Sequence, residues 1–282
     1  MLERDTREPV EGQLDTTPPW ISLYHISQST FNPDSTHLIR RYSRYKYGSP
    51  EDAVAFGNEL ATVIVEDYGV AIAQSPEEWI IVTPPYSRIP PAVYSVGRVV
   101  GANLGIPSID ARARRPHGVQ PIYAALATQE GRMAARQSAE VYLDTDKSVQ
   151  GKRILLLDDM IMTGVTMVHM TGLLYGVHQA AAVSGFSLLR LHYPNAAIEE
   201  HTNSFLLKEG SLAEIADILN KEAVIINRFA LLNIFSAGQL DFEEIIEQLS
   251  PGAVAKLIAA GKLYFGNLEN SERLSFLEAM LQ

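Results

Sequence analysis

Two adjacent carboxylates followed by a threonine–glycine turn are the residues of this sequence whose types and spacing best suit chemistry. Asp158 and Asp159 directly follow Arg153–Leu157 (RILLL), a short apolar run typical of a buried strand. The tetrapeptide Thr163–Thr166 (TGVT) then opens a predicted helix. A helix N-terminus offers N–H groups and a positive partial charge to a phosphate, and Gly164 allows its close approach. The carboxylates suit the hydroxyls of a diol. The segment therefore predicts a binding site for a ribose 5-phosphate.

A purely structural interpretation of the same segment is that the aspartates cap the helix and that the threonine–glycine pair forms an ordinary turn. The order of strand, carboxylates, turn and helix favours the binding site instead. Ligands of open parallel sheets bind outside the carboxyl ends of the strands, which is where this order places the acids.

Short apolar runs alternate with helical segments around this motif, which predicts an α/β fold with a parallel sheet and crossover helices. The predicted strands are Trp20–Ile26, Trp79–Thr83, Ile106–Asp110, Glu140–Leu143, Arg153–Leu157 and Ala180–Leu191. The predicted helices are Pro50–Tyr68, Ala92–Leu104, Ile122–Ser138 and Val165–Val177. The predicted loops are Pro84–Pro91, Ala111–Gln120 and Asp158–Gly164.

The segment Arg153–Val168 (RILLLDDMIMTGVTMV) resembles the phosphoribosyl-pyrophosphate motif of type I phosphoribosyltransferases. The resemblance implies their fold, a central, mostly parallel sheet flanked by helices, here with an N-terminal hood and a helical C-terminal extension. It implies that Asp158 and Asp159 bind the 2′- and 3′-hydroxyls of the ribose. The residues implied to surround the 5-phosphate are Met162, Thr163, Gly164, Val165 and Thr166. Over Trp79–Leu191 the arrangement is most similar to the ComF-type branch.

The loop after the strand Trp79–Thr83 is implied by the resemblance to bind the pyrophosphate leaving group. Loops at this position in the family often contain a strained or cis peptide. By position the binding residues are Tyr86, Ser87 and Arg88, whose guanidinium suits bidentate contacts to phosphate oxygens. The alternative is a proline-stiffened surface turn that carries a solvated arginine.

The one dense basic cluster of this acidic sequence is formed by Arg112, Arg114, Arg115 and His117. The resemblance places a mobile catalytic loop here, so the three arginines are implied to fold over the pyrophosphate and neutralise it. A solvated basic loop or an interaction patch explains the same residues.

The resemblance implies an enzyme that uses phosphoribosyl pyrophosphate and Mg²⁺ to transfer a phosphoribosyl group to a small-molecule acceptor. The Mg²⁺ is expected mainly on substrate oxygens, with no direct protein ligand. Met162 departs from the pattern, because relatives often carry Thr or a catalytic Asp there and a thioether cannot act as a base. Val165 replaces a residue that is commonly small. The departures keep open a non-catalytic regulator that binds the donor or a nucleotide, and a phosphoribosyl hydrolysis or phosphorolysis-like reaction stays open as a third reading.

Composition divides the chain into three expected regions. Met1–Pro19 is polar and reads as a flexible leader, and residues 20–200 form the predicted α/β domain. Within that domain, residues 20–47 are a candidate hood, because Leu38–Tyr47 mixes basic and aromatic residues that suit a planar acceptor. The same mixture also describes an amphipathic surface strand. Residues 201–282 carry six basic and eleven acidic residues, which predicts an acidic helical subdomain.

Bulk properties exclude several classes of protein. There is no cysteine, which rules out disulfides and thiolate metal sites, and the net charge of −10 opposes binding to nucleic acid. No apolar run approaches the roughly 18 residues that a membrane span needs. His25, His169 and His178 are isolated in the sequence and read as ordinary residues. The polar N-terminus lacks a signal-peptide pattern, so we expect a cytoplasmic protein. A homodimer is one expectation, because proteins of the resembled fold often dimerise.

Overall fold

The structure is a computed structural model that describes residues 20–26, 33–114, 140–144, 149–192, 196–265 and 271–281. Six strands form one sheet in the order β1-β6-β5-β2-β3-β4. The strands are β1 (Ile21–Ile26), β2 (Trp79–Val82), β3 (Ser108–Arg114), β4 (Glu140–Asp144), β5 (Arg153–Ile161) and β6 (Ala182–Leu191). All neighbouring pairs are parallel except β3 and β4. The carboxyl ends of β1, β6, β5, β2 and β3 therefore meet at the same edge of the sheet.

Burial explains why the central strands read as continuous apolar runs. Every residue of β2 is buried, and so is β5 from Ile154 to Asp158. A parallel sheet covered on both faces requires such strands, since neither face meets water. The predicted α/β class with a mostly parallel sheet is confirmed.

The helices lie between and after these strands. Those that precede or interrupt the sheet are α1 (Pro33–Lys46), α2 (Pro50–Gln74), α3 (Val93–Leu104) and α4 (Val165–Gly176). Those that follow it are α5 (Ala196–Asn203), α6 (Phe205–Lys208), α7 (Leu212–Asn220), α8 (Arg228–Ser236), α9 (Gln239–Glu247), α10 (Pro251–Phe265) and α11 (Ser271–Ala279). The helical character predicted for the C-terminal region is confirmed in its described residues.

Several predicted boundaries are wrong. The strand β5 continues through the acids to Ile161, because Asp158 pairs with Ser187 and Ile161 pairs with Arg190 of β6. The strand β3 begins later than predicted and runs to Arg114, where β4 pairs with it. The helix α2 passes through Gly69 and ends at Gln74. The predicted helix at 122–138 lies outside the described residues.

The basic and aromatic segment Leu38–Tyr47 is mostly helical, within α1, rather than a strand. Tyr42, Tyr45 and Tyr47 are buried, so their rings pack inside the protein instead of facing a planar ligand. Tyr47 lies in an apolar cluster with α7, α8, α9, α10 and α11. Burial raises the pKa of the Tyr47 hydroxyl above its ordinary value.

Packing divides the chain into two compact units at boundaries that differ from the predicted ones. One unit contains the sheet. The other is helical and comprises the described residues within Phe31–Val54, Arg88–Ser95 and Ala197–Gln282. Segments on both sides of the sheet residues therefore join the predicted C-terminal subdomain. Within the part of the chain that the structure describes, no helix combines the length and the apolar character that crossing a membrane would require.

An ion-pair network fastens α1 to α7 inside the helical unit. Arg44 donates through Nε to Asp52 Oδ2 at 2.9 Å and through Nη1 to Glu214 Oε1 at 2.5 Å, and Arg40 also donates to Glu214. Burial alone would raise the pKa of the Glu214 carboxyl, but the hydrogen bonds from Arg40 and Arg44 outweigh it and the pKa is lowered.

We predict that Glu214→Gln flattens the acid limb of the stability curve. A carboxyl whose pKa is lowered by folding contributes stability above its unfolded pKa and loses it as the pH falls through the folded pKa. The free energy of unfolding of the wild type should therefore decrease more steeply than that of the variant as the pH falls below about 4.5. Urea unfolding at a series of pH values measures both slopes.

Asp217→Asn is the matched control, because Asp217 is exposed on the same helix. It should keep the pH slope of the wild type. An unchanged slope in Glu214→Gln would contradict the prediction.

Candidate functional site

The two aspartates lie in the second half of β5, toward the carboxyl edge of the sheet. Asp158 is buried, with 8% of its surface exposed, and Asp159 is half-buried. The backbone N–H of Asp159 donates to Asp158 Oδ1 at 2.9 Å. Because successive strand residues project to opposite faces, the strand extension gives the two carboxylates different environments. The deeper carboxylate is held by the backbone, and the shallower one is more accessible to solvent.

The turn after β5 ends in a glycine that begins α4. Gly164 has φ +68° and ψ 0°, a left-handed conformation that disfavours other residues, and it occupies the N-cap position. Gly164 has no side chain with which to cap this helix start. The N–H groups of the first turn of α4 therefore keep the arrangement that suits an external anion.

The other predicted residues of the turn fall into two groups. Met162, Thr163 and Thr166 are half-buried, whereas Val165 is buried with 5% of its surface exposed. The structure thus brings the carboxylates, the turn and the start of α4 into one continuous segment. The ligand contacts assigned to these residues stay predictions.

Trp20 supports this turn, and sequence reasoning did not assign it to the site. Its indole is buried, and a Cβ built on Gly164 would lie 2.5 Å from Trp20 Cζ3. A Cβ built on Gly185 of β6 would lie 2.5 Å from Trp20 Cδ1 and 2.5 Å from Met167 Cε. The ring therefore occupies space that exists only because both positions are glycine. No local pattern links these three residues.

Tyr86 of the predicted pyrophosphate loop is bound to β3 by its backbone. Its N–H donates to the Ala111 carbonyl at 3.1 Å, and the N–H of Ala113 donates to the Tyr86 carbonyl at 2.9 Å. Ser87 is exposed. The described residues contain no cis peptide bond, and no residue of this loop has a positive φ. The strained or cis peptide that the resemblance suggests is therefore not a feature of the loop.

Arg88 has a partner within the helical unit. Its Nη1 donates to the carbonyl oxygens of Tyr264 at 2.8 Å and Leu263 at 3.4 Å, both in the last turn of α10. A cation at a helix C-terminus is favourable, because the carbonyl ends carry negative partial charge. Arg88 is thus neither simply solvated nor grouped with Tyr86 and Ser87, which belong to the unit that contains the sheet.

The predicted catalytic loop begins as a strand. Arg112 and Arg114 lie on β3, which corrects their placement in a loop, and Arg114 pairs with Glu140 of β4 through the backbone. The Arg112 guanidinium lies 4.2 Å from the centre of the Tyr86 ring. Arg115 and His117 fall outside the described residues.

His25 is not isolated, contrary to its interpretation in the sequence. His25 Nδ1 and His192 Nε2 are 2.8 Å apart, at the carboxyl ends of β1 and β6. One ring must donate and the other accept, so the pair holds at least one neutral imidazole. Their separation along the chain hides this contact from sequence reasoning.

A divalent cation is expected to bind at this site mainly through oxygens of the substrate. Among the described residues, no group of three or more His, Cys, Asp or Glu side chains could hold a metal ion. Mg²⁺ keeps several waters and commonly binds one or two carboxylates together with phosphate oxygens. Asp158 and Asp159 supply such carboxylates beside the start of α4.

The arrangement can bind a molecule that carries hydroxyls and phosphate groups. Carboxylates accept hydrogen bonds from hydroxyls, and a helix start with a glycine at the N-cap accommodates a phosphate. Arg112 lies on β3, which β2 separates from β5, and its positive charge suits a second anion.

Comparisons with known proteins found a matching family model and similar solved structures. The family model described as "PRTase ComF-like" matches residues 18–277. A hypoxanthine-guanine phosphoribosyltransferase structure from L. donovani is similar at 16% identity and a TM-score of 0.33, over 50% of this chain and 69% of that one. A hypoxanthine phosphoribosyltransferase structure from Staphylococcus aureus is similar at 17% identity and a TM-score of 0.33, over 51% of this chain and 65% of that one. A hypoxanthine phosphoribosyltransferase structure from Trypanosoma cruzi is similar at 16% identity and a TM-score of 0.34, over 53% of this chain and 73% of that one. No curated protein matches by sequence.

We predict that Gly185→Ala and Gly164→Ala destabilise the protein, because each added methyl group overlaps the Trp20 indole. Overpacking should lower the free energy of unfolding by about 1–3 kcal/mol for Gly185→Ala. Gly164→Ala should cost more, since a left-handed backbone adds about 1–3 kcal/mol of strain. Urea unfolding measures both.

Gly172→Ala in α4 is the control, because a Cβ there has open space within 4 Å. It should stabilise the protein slightly, by at most about 1 kcal/mol, through helix propensity. Wild-type stability in Gly185→Ala would show that Trp20 does not fill this space in solution.

Proposed function

We propose, because the chain belongs to the ComF-like family of phosphoribosyltransferases, that it transfers the 5-phosphoribosyl group of phosphoribosyl pyrophosphate to a small-molecule acceptor. The observation that carries the proposal is the adjacency of Asp158 and Asp159 to the glycine-capped start of α4. A phosphate site beside two carboxylates that accept hydrogen bonds from hydroxyls suits a ribose 5-phosphate. Membership of the family suggests that the sugar is bound in its activated form, phosphoribosyl pyrophosphate.

The roles of the residues follow from their chemistry. Asp158 and Asp159 accept hydrogen bonds from the ribose hydroxyls, and the N–H groups from Met162 to Thr166 bind the 5-phosphate. The hydroxyls of Thr163 and Thr166 supply further donors. The buried indole of Trp20 packs against Gly164 of the turn after β5. The turn should therefore bind the phosphate without a large rearrangement.

The leaving group is proposed to lie at the neighbouring strand ends. Ser87, on the loop after β2, and the arginines 112, 114 and 115 surround the pyrophosphate and stabilise its charge. Arg88 is not assigned to this role, because its guanidinium contacts the end of α10. Mg²⁺ bound mainly through substrate oxygens would offset negative charge on the pyrophosphate.

In the proposed reaction a lone pair of the acceptor forms a bond to C1 of the ribose while the bond from C1 to the pyrophosphate oxygen breaks. Both electrons of that bond leave with pyrophosphate, and the acceptor loses a proton. Asp158 and Asp159 place negative charge near the cationic sugar that develops. Met162 cannot take the proton, so the acceptor must ionise readily or another group must act as the base.

A non-catalytic regulator that binds the same donor is the second candidate function. The presence of Met162 in the turn favours it, because a thioether offers neither a base nor a donor at this position. Both functions require donor binding and differ only in turnover.

We predict that the double variant Asp158→Asn, Asp159→Asn loses donor binding and turnover without unfolding. The loss of two charge-assisted hydrogen bonds, each worth about 1.5–3 kcal/mol, should weaken the affinity for the donor by about 100-fold or more. Calorimetry with phosphoribosyl pyrophosphate and Mg²⁺ measures binding, and pyrophosphate release over a panel of acceptors measures turnover.

A charge-matched control is Glu66→Gln, Asp67→Asn, because these adjacent acids are exposed on α2 within the same unit. It should bind the donor like the wild type. Wild-type binding by the Asp158/Asp159 variant would overturn the assignment, and binding by the wild type without release of pyrophosphate on any acceptor would favour the regulator.

A further inference from the structure

We propose that Tyr86 and Asp110 are positioning residues that hold the Arg112 guanidinium for the pyrophosphate part of the donor. The inference rests on the proposed function and adds two roles to it. Asp110 has no role predicted from the sequence, and Tyr86 is predicted there to bind pyrophosphate directly. Here both residues instead support Arg112, which is proposed to bind the pyrophosphate.

The backbone fixes Tyr86 beside Arg112. Two hydrogen bonds to Ala111 and Ala113 attach Tyr86 to β3, and Tyr86 and Arg112 form a parallel bridge. Although Thr83 and two prolines separate Tyr86 from the end of β2, it thus continues the pairing of β2 with β3. The side chains of bridged residues on neighbouring strands lie close together, so Tyr86 is held within reach of the Arg112 side chain.

Three side chains then form a compact cluster within the unit that contains the sheet. The Tyr86 hydroxyl donates to Asp110 Oδ2 at 2.7 Å, and the Arg112 guanidinium lies 4.2 Å from the Tyr86 ring centre. Arg112 Nη2 is 3.9 Å from Asp110 Oδ2. Tyr86 is buried with 7% of its surface exposed, whereas Arg112 and Asp110 are half-buried. The buried ring is the fixed member, and the guanidinium lies on it.

The Tyr86 ring and the Asp110 carboxylate orient the Arg112 guanidinium. A separation of 3.9 Å is longer than a hydrogen bond, so Asp110 attracts Arg112 without forming the bidentate pair that carboxylates and guanidinium groups make at close range. The ring face attracts the cation and restricts its plane. An arginine held in this way loses less side-chain entropy when it binds an anion than one that is free to rotate.

The cluster lies at the strand ends where the leaving group is proposed to bind. Asp110 and Arg112 follow the residues of β3 that pair with β2, so they lie beyond that pairing at the carboxyl edge of the sheet. The turn after β5, by contrast, is proposed to bind the 5-phosphate. The two anionic ends of the donor therefore depend on different residues, and a change at Tyr86 should affect one end only.

Calorimetry on the full chain with two probe ligands tests this separation. Pyrophosphate and ribose 5-phosphate are each titrated in the presence of Mg²⁺. Tyr86→Leu removes the ring and should weaken pyrophosphate binding by about tenfold, the effect of losing one charge-assisted contact. Its affinity for ribose 5-phosphate should stay within about twofold of the wild type, a difference below the effect of any single hydrogen bond. Thermal unfolding of each variant checks that it is folded.

Three further variants separate positioning from a general structural role. Arg112→Ala should weaken pyrophosphate binding as much as Tyr86→Leu, and the double variant should add little, because both remove the same interaction. Arg112→Lys keeps the charge but loses the planar group, and should also bind pyrophosphate more weakly. Tyr86→Phe keeps the ring and loses only the hydrogen bond to Asp110, so its loss of pyrophosphate affinity should be smaller than that of Tyr86→Leu. If Tyr86→Leu does not fold, Tyr86→Phe and Arg112→Lys decide the test.

Each result supports or overturns the inference. Selective loss of pyrophosphate affinity that disappears in the Arg112→Ala background supports it. Equal loss for both ligands shows a structural role and overturns it, and so does wild-type affinity for pyrophosphate in Arg112→Ala and Arg112→Lys. A wild type that binds neither ligand refutes the proposed function, and the inference fails with it.

Discussion

The packing of the Trp20 indole against two glycines is the contact on which the candidate site depends. Gly164 turns the chain into α4, and Gly185 leaves room on β6, so that one aromatic ring reaches both. Trp20 and Met167, a buried residue of α4, belong to the same apolar cluster. Burial of this large side chain stabilises the turn in a conformation that only glycine adopts easily. The geometry of the turn that is proposed to bind a phosphate is thereby set by the packing of Trp20.

Sequence reasoning predicted the elements of the candidate site where the signals are local, and it missed contacts between residues that are distant along the chain. The order of strand, acids, turn and helix lies within Arg153–Val168, and its elements are those of β5 and α4. The strand extension to Ile161 depends on pairing with β6, which an apolar run ending at Leu157 does not reveal. The contact of Trp20 with the turn and that of His25 with His192 join distant residues, so no spacing rule could find them.

The positions of two predicted segments have physical causes in the residues themselves. Leu38, Tyr42 and Tyr45 recur at helical spacing and are buried on one face of α1, but the aromatic content of the segment suggested a strand. Two basic residues of that helix, Arg40 and Arg44, form ion pairs with Glu214. Arg88 follows Tyr86 closely in sequence, yet the carbonyl groups at the end of α10 hold its guanidinium.

The helical unit is assembled from three separate stretches of chain, and this affects how the protein is made. Tyr47, Ile89 and Leu231 belong to one apolar cluster, although each comes from a different stretch. During synthesis the first two stretches leave the ribosome long before the third, so their apolar faces stay uncovered until translation is nearly complete. A fragment cut near residue 200 would keep Tyr47 and Ile89 while lacking most of the side chains that bury them. The sheet-containing part of this enzyme family member therefore cannot be isolated by a simple C-terminal truncation without leaving an aggregation-prone surface.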